Sequence, residues 1–588
     1  MLKKGGIKTR LNSIVHGLPA SSSKEQSIRK RVGAAPLAEA EAEAAVPFNA
    51  ELRKDWLEGK MTSEAVLRLA TKAAQQGAEH VGKFARKTLH AGHAQRDLMR
   101  ALGWPKEAPE FVWLEVNTPR GKRSHPIVCP IRMFESLRSS NPRRFQKTII
   151  GSRKALEEFW EGLKGHPIYE KNKRFINTNS TVGLLLHGDG APTHKCDGLY
   201  TLSFSSATCE GSTKESCYVM TVIKKSDLSD GTLDEIFKYL VWAFNALAKG
   251  RWPPLDWNGR PYEKANQLIA EGKDNAAVVF MKGDLEFYSQ VLNFPAAGSS
   301  NLFCWICGAS QSIEDCNCYT ADEHATWRPT VRDAAEFQRW LLTFCAFLPL
   351  LLQIETLLYE GITLDSLHIV DLCVASHVIA NTFIEIMNLW PGNQAARVAR
   401  LEREIKEWYS EHKCKYPVQG KLSWDRLRTS GDWPKLKAKG ATTRVLSRFS
   451  LQLALRHDSG NQHDRRRTAV NQLLVRYYDL LDEEGRYLST SAKRECSKMA
   501  TIFMAVYTKL AREAVDLRIR MWKLTPKFHL WVHLLEIQIQ TIGNARAFWT
   551  YRDEDLQRLM KNIAIGVHPN NLALVVLYKW LLSSFESS

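Results

Sequence analysis

Two short apolar runs, each stopped by Gly-Asp, punctuate the hydrophobic pattern: TVGLLLHGD at Thr181–Asp189 and NAAVVFMKGD at Asn275–Asp284. A run of about five to eight apolar residues closed by a glycine turn predicts a buried strand rather than a helix. Between them, Leu199–Ala207 alternates as a strand, and Cys217–Lys224 is rich in β-branched and aromatic residues. Thr232–Gly250 then has the helical period, with acids in its first turn, Thr232 or Asp230 as cap and Gly250 as stop. The predicted order is β-β-β-α-β. Short turns make the first three strands an antiparallel meander. A right-handed helical crossover returns the fourth strand parallel to one already present.

That order can set the last strand beside the first, as in the ribonuclease H-like fold. Asp189 and Asp284 are expected where their strands stop. A carboxylate there is held by rigid backbone yet faces solvent, which suits a ligand of a hard cation. A turn Asp after a strand is the plain alternative for either one alone.

The remaining pattern divides the chain. Residues 1–48 form a basic tail with an Ala/Glu run and too little apolar surface to order itself. It reads as a solvated tail, a nuclear signal, a nucleic-acid arm or a transit peptide. Residues 49–175 are basic and mostly helical at first, a unit that could touch DNA. Within it Ser124–Pro130 is an expected strand, and Ile131–Leu137 and Lys154–Leu163 are expected helices. Residues 176–300 hold the first part of the α/β core, ending in a short helix at Leu285–Asn293. Residues 301–330 are Cys-rich. Residues 331–522 are helical, near 332–360, 366–390, 394–413, 440–457, 466–482 and 491–522, with a loop over Tyr416–Lys437. This block is too long for a loop and is expected to be an all-α insertion. Residues 523–588 return to the core with helices from Pro526 and around Asp553.

Composition narrows the partners. The chain has 588 residues and a formal net charge of +18, so a polyanion is the expected partner. Twelve cysteines are scattered through a long chain, which argues for free or metal-bound thiols in a reducing compartment rather than a disulfide scaffold. The apolar run Trp340–Leu352 is too short to span a bilayer and is expected to be a buried helix of a soluble protein.

Cys304 and Cys307 form a CxxC pair, with Cys316 and Cys318 close behind. Paired thiolates reach one ion, and a second pair completes a tetrahedral zinc site. Four buried free thiols are the alternative, and His324 could replace one cysteine. His529 and His533 are four apart and could also bind metal, a packed helix being the simpler explanation. Asp553, Glu554 and Asp555 open a helix, where acids are ordinary partners of the helix dipole. Lys561 lies seven positions beyond Glu554, on the same face.

Taken in order, five segments resemble the transposases of CACTA (En/Spm-like) DNA elements, over residues 180–390 and 520–575. HGDGAPTHK stands where that family has Asp-Gly-Phe-Asn-Pro-Phe. KGDLEFYSQVLNFPAAGSSNLFCWICG resembles its Asn-Asp-Phe-Pro-Ala stretch leading to Cys-Pro-x-Cys. TLDSLHIVDL is similar to its Asp-x-Met-His motif. TPKFHLWVHLLEIQIQTIG and FWTYRDEDLQRLMKNI resemble its His-Leu-Val-Glu and Pro-Phe-Glu-Arg-Tyr helices. The chain departs from the family at Ala191-Pro192, at Lys282-Gly283 and in the Asp553-Glu554-Asp555 triplet.

The resemblance implies a ribonuclease H-like DDE/D core interrupted by a helical insertion, acting in the nucleus on double-stranded DNA at element ends as a homo-oligomer. Register carries the three acids onto Asp189, Asp284 and Glu554, separated by 95 and 270 residues. They would hold two Mg²⁺ or Mn²⁺ ions for cleavage and strand transfer, with Asp365, His368 and Lys561 in support and Zn²⁺ on the cysteines. A catalytically inactive derivative that binds DNA or chromatin is the alternative. A zinc-stabilised helical interaction protein is a third expectation.

Overall fold

The computed structural model describes residues 48–585, apart from 79–80, 82, 86–89, 106, 195–196, 297, 299 and 313–315. The expected N-terminal tail lies outside the described residues except for Phe48. The described residues fall into two compact units, 48–56 with 63–101 and 57–62 with 102–585.

The first unit is helical, built around α1 (Phe48–Leu57), α2 (Ser63–Gln75) and α3 (Ala94–Leu102). Val66, Leu67 and Ala70 line the buried side of α2 at helical spacing. The indole N–H of Trp56 donates to Ser63 Oγ across 2.9 Å and ties α1 to α2.

The second unit opens with an antiparallel hairpin, β1 (Phe111–Thr118) and β2 (Gly121–Val128), followed by α4 (Pro130–Ser140) and α5 (Arg153–Glu161). The central sheet contains β3 (Thr181–His194), β4 (Asp197–Ser206), β5 (Cys217–Lys224) and β6 (Asn275–Lys282). Its spatial order is β5-β4-β3-β6. β3–β4 and β4–β5 pair antiparallel, whereas β6 runs parallel to β3. The crossover from β5 to β6 is α6 (Thr232–Lys249), which stops at Gly250 in the left-handed conformation, φ +65°. Val278, Val279 and Met281 of β6 are fully buried, as befits a parallel strand covered on both faces.

On its free edge β6 takes one more partner. Met281 forms a parallel bridge with Ile362, and Thr363 N donates to Met281 O over 2.9 Å. Gly361 permits this approach, because a Cβ there would lie 2.1 Å from the Val279 carbonyl oxygen.

After α7 (Leu285–Leu292) and the Cys-rich loop, α8 spans only Ala334–Leu341. The expected long helix over 332–360 breaks there, and Phe347 stands 84% exposed rather than buried. Pro349 bars one continuous helix over the run, because it lacks an N–H and keeps its predecessor out of helical backbone. The helical block continues as Leu367–Asn388, whose second part is α9 (Ala375–Asn388), then α10 (Gln394–Glu411), α11 (Gly440–Arg456), α12 (Gln462–Glu483) and α13 (Thr490–Asp516). α9, α11, α12 and α13 pack in succession. Among the described residues Leu367–Asn388 is the one helix apolar and long enough to cross a membrane, and 89% of its apolar window is buried inside the molecule. The chain then returns through α14 (Pro526–His533) to α15 (Tyr551–Ile565), laid on β3, and α16 (Leu572–Phe585), laid on β5.

Candidate active site and metal clamp

Asp189 does not close its strand. β3 continues to His194, and Asp189 pairs with Thr201 of β4. Its setting comes from the other edge. Pairing of β3 with β6 ends at His187 opposite Lys282, so β3 is uncovered there beyond His187. Asp284 lies two residues past the end of β6 and caps α7, accepting from Phe287 N over 2.7 Å. Glu554 comes from the first turn of α15, whose Gln557 donates to the Asp189 carbonyl oxygen over 2.5 Å.

These three acids sense one another. Burial, then the charges of Glu554 and Asp284, lift Asp189 from 3.8 to about 7. Burial also raises Glu554, with the His368 charge opposing and Asp365 and Asp284 adding to the rise. They do not form a set with every ligand atom within 4.8 Å of the others; among the described residues only the Cys/His group below does.

The triplet on α15 divides by direction. Asp553 is 1% exposed and turned under the sheet, where Lys282 Nζ lies 2.6 Å away and His187 Nδ1 3.8 Å away. Asp555 is exposed and pairs with Arg558 at 3.1 Å. Glu554 alone faces Asp189 and Asp284. Successive residues on a helix point about 100° apart, so packing of α15 on the sheet selects the middle acid. The Lys282–Asp553 pair and His187 escaped sequence reasoning. Their signal was period two: His187 lies two residues before Asp189 and therefore on the same face of β3.

Asp365 and His368 belong to this site. Asp365 receives Thr550 Oγ1 at 2.6 Å and Thr550 N at 3.0 Å, fixing the start of α15. His368 Nδ1 is 2.5 Å from Asp365 Oδ2, and its Nε2 is 3.5 Å from Glu554 Oε1. Against burial, the Asp365 carboxylate lifts His368 to about 9, so the ring is cationic at neutral pH. Against its own burial, Asp365 is held below the usual carboxylate range by His368 and Thr550. Lys561 sits half-buried further along α15 and makes no ion pair among the described residues.

A second cluster lies in the Cys-rich loop. Cys304 and Cys307 meet His529 and His533 of α14, all four buried, their ligand atoms all within 4.8 Å of one another. Cys307 Sγ is 3.2 Å from Nε2 of both histidines. This corrects the expected four-cysteine site. Cys316 is exposed and Cys318 buried, 3.9 Å apart, and neither thiol joins the set. Cys318 contributes its carbonyl instead: His529 Nδ1 lies 3.1 Å from that oxygen, which leaves Nε2 to serve as ligand. Trp327 packs edge-on against both imidazoles, at 5.0 and 4.9 Å. Cys₂His₂ with no open position is the donor set of a structural zinc.

With sheet, acids and clamp in view, no protein-family model matches the chain, and no curated protein matches it either.

Proposed function

We propose that this chain is a DDE/D-type transposase with a ribonuclease H-like core, cutting and rejoining DNA ends with divalent metal. One observation carries the proposal. Acids from β3, from the cap of α7 and from α15 act on one another: after burial, the charges of Glu554 and Asp284 lift Asp189 to about 7. The strand order β5-β4-β3-β6, with only β3 and β6 parallel, supports it.

The donor set fits hard cations. Carboxylate oxygens are their preferred ligands, and a buried carboxyl raised by two neighbouring acids is relieved by a bound positive charge. Asp189, Asp284 and Glu554 would hold Mg²⁺ or Mn²⁺. Metal there supplies activation of water or a 3′-hydroxyl and stabilisation of the leaving oxygen.

The other groups position and neutralise. Cationic His368, 3.5 Å from Glu554, opposes the rise that burial imposes on that carboxyl, and Asp365 holds His368 in place. Lys282 compensates Asp553 beneath the sheet, so Glu554 is left facing the acids. The net charge of +18 favours duplex DNA as substrate, bound by a homo-oligomer in the nucleus. The Cys₂His₂ clamp fastens α14, and with it the approach to α15, to the loop that follows the second acid.

The test is Mn²⁺-dependent nicking and joining of duplex DNA bearing matched terminal repeats. Wild type should act, and Asp189→Asn, Asp284→Asn and Glu554→Gln should each lose the activity. Equal activity in wild type and Asp189→Asn refutes the proposal. The alternative, an inactive DNA- or chromatin-binding derivative, draws on Asp284 already serving as a helix cap. It requires salt-sensitive DNA binding untouched by Asp284→Asn, with no cleavage in wild type.

A further inference from the structure

Glu554 also borders a cleft of about 1010 Å³ between α15, α11 and the loop after α10. Its charge is not balanced. Of its carboxylates, Asp482 is taken by Arg444 at 2.7 Å and Asp555 by Arg558 at 3.1 Å. Lys415 and Lys439 line the same cleft, exposed and without an ion pair among the described residues. Tyr416, next to Lys415 in the loop, lines the cleft as well, with 56% of its surface exposed. The hollow does not end there. A further space of about 340 Å³ shares Gln419, Lys439 and Thr442 with it and adds Arg426 and Lys437.

A basic track with an accessible aromatic ring is how proteins hold a single polynucleotide strand: cations follow the phosphates and a ring stacks on an unpaired base. A duplex keeps its bases stacked inside and offers Tyr416 nothing to stack on. We infer that this cleft takes one unpaired DNA strand leading away from the acid site, with a base on Tyr416 and phosphates on Lys415 and Lys439. The inference rests on the nuclease reading of the acids and names what the insertion adds to it: a place for the strand freed at a cut end.

The experiment measures binding of a fluorescent single-stranded oligonucleotide to the full chain by anisotropy, in EDTA, so that cleavage plays no part. Tyr416→Ala should weaken binding about 5- to 150-fold, the worth of one stacked base. The double variant Lys415→Gln, Lys439→Gln should lower the salt slope by about 1.4, the share of two single-strand phosphates. Duplex binding should change little in either. All three residues are exposed, and circular dichroism with a melting curve verifies that the variants fold. Wild-type affinity and slope in both variants overturn the inference, as does equal loss for duplex and single strand. Strand binding that falls with Tyr416→Ala in a protein that never cuts leaves the cleft standing and the nuclease reading fallen. Cutting lost in Asp189→Asn with strand binding intact in Tyr416→Ala does the reverse.

Discussion

The shared charge of the acid site predicts a stability that falls as pH rises. Asp189 has its proton held from 3.8 up to about 7 by burial and by Glu554 and Asp284. A carboxyl raised on folding stabilises the protein most below its unfolded value, and that stabilisation is lost as pH climbs through the folded value. With these two values, linkage gives a loss of about 3 kcal/mol between pH 5 and pH 8 in metal-free protein. Asp189→Asn removes the proton and the repulsion together, so its profile should be flatter over that window by a similar amount. Calcium, which binds carboxylates without supporting catalysis in most two-metal sites, should restore wild-type stability at pH 8 and do much less for Asp189→Asn. Urea unfolding at both pH values, with EDTA or CaCl₂, gives all the comparisons. A profile in Asp189→Asn that parallels wild type would show that the three acids are not coupled, and the metal-binding reasoning would fail with it.

The buried pair beneath the sheet should be costly to break: Asp553→Asn leaves Lys282 uncompensated and should lose about 3–5 kcal/mol by urea unfolding, while the joint Lys282→Met, Asp553→Leu change should recover most of it. Purified protein should carry zinc by elemental analysis, and Cys304→Ser or His529→Ala should abolish it and lower the melting temperature. NMR titration should place His368 near 9, and Asp365→Asn should lower it, because the largest offset to burial is then removed and only Glu554 and Asp284 remain to oppose it. A His368 titration unmoved by Asp365→Asn would remove Asp365 from the site.

Local pattern carried the sheet well and the site in part. Cys217–Lys224 was legible to the residue because β-branched and aromatic side chains suit a strand whatever lies beside it. The end of β3 was not, since Gly188-Asp189-Gly190 reads as a turn, and only the ladder to β4 carries the strand on to His194. The choice among Asp553, Glu554 and Asp555 depends on the rotation of α15 about its axis, which packing on β3 decides. The histidine partners of Cys304 and Cys307 were hidden for a different reason. Spacing shows that His529 and His533 share a helix face, but nothing local joins them to cysteines more than 200 residues earlier.

That long reach makes the molecule intolerant of shortening. A chain that stops anywhere inside the helical insertion still carries Asp189 and Asp284, yet it lacks Glu554 and both histidines of the clamp. On the proposed reading, one early stop codon there therefore removes the third acid and two of the four clamp ligands in a single event.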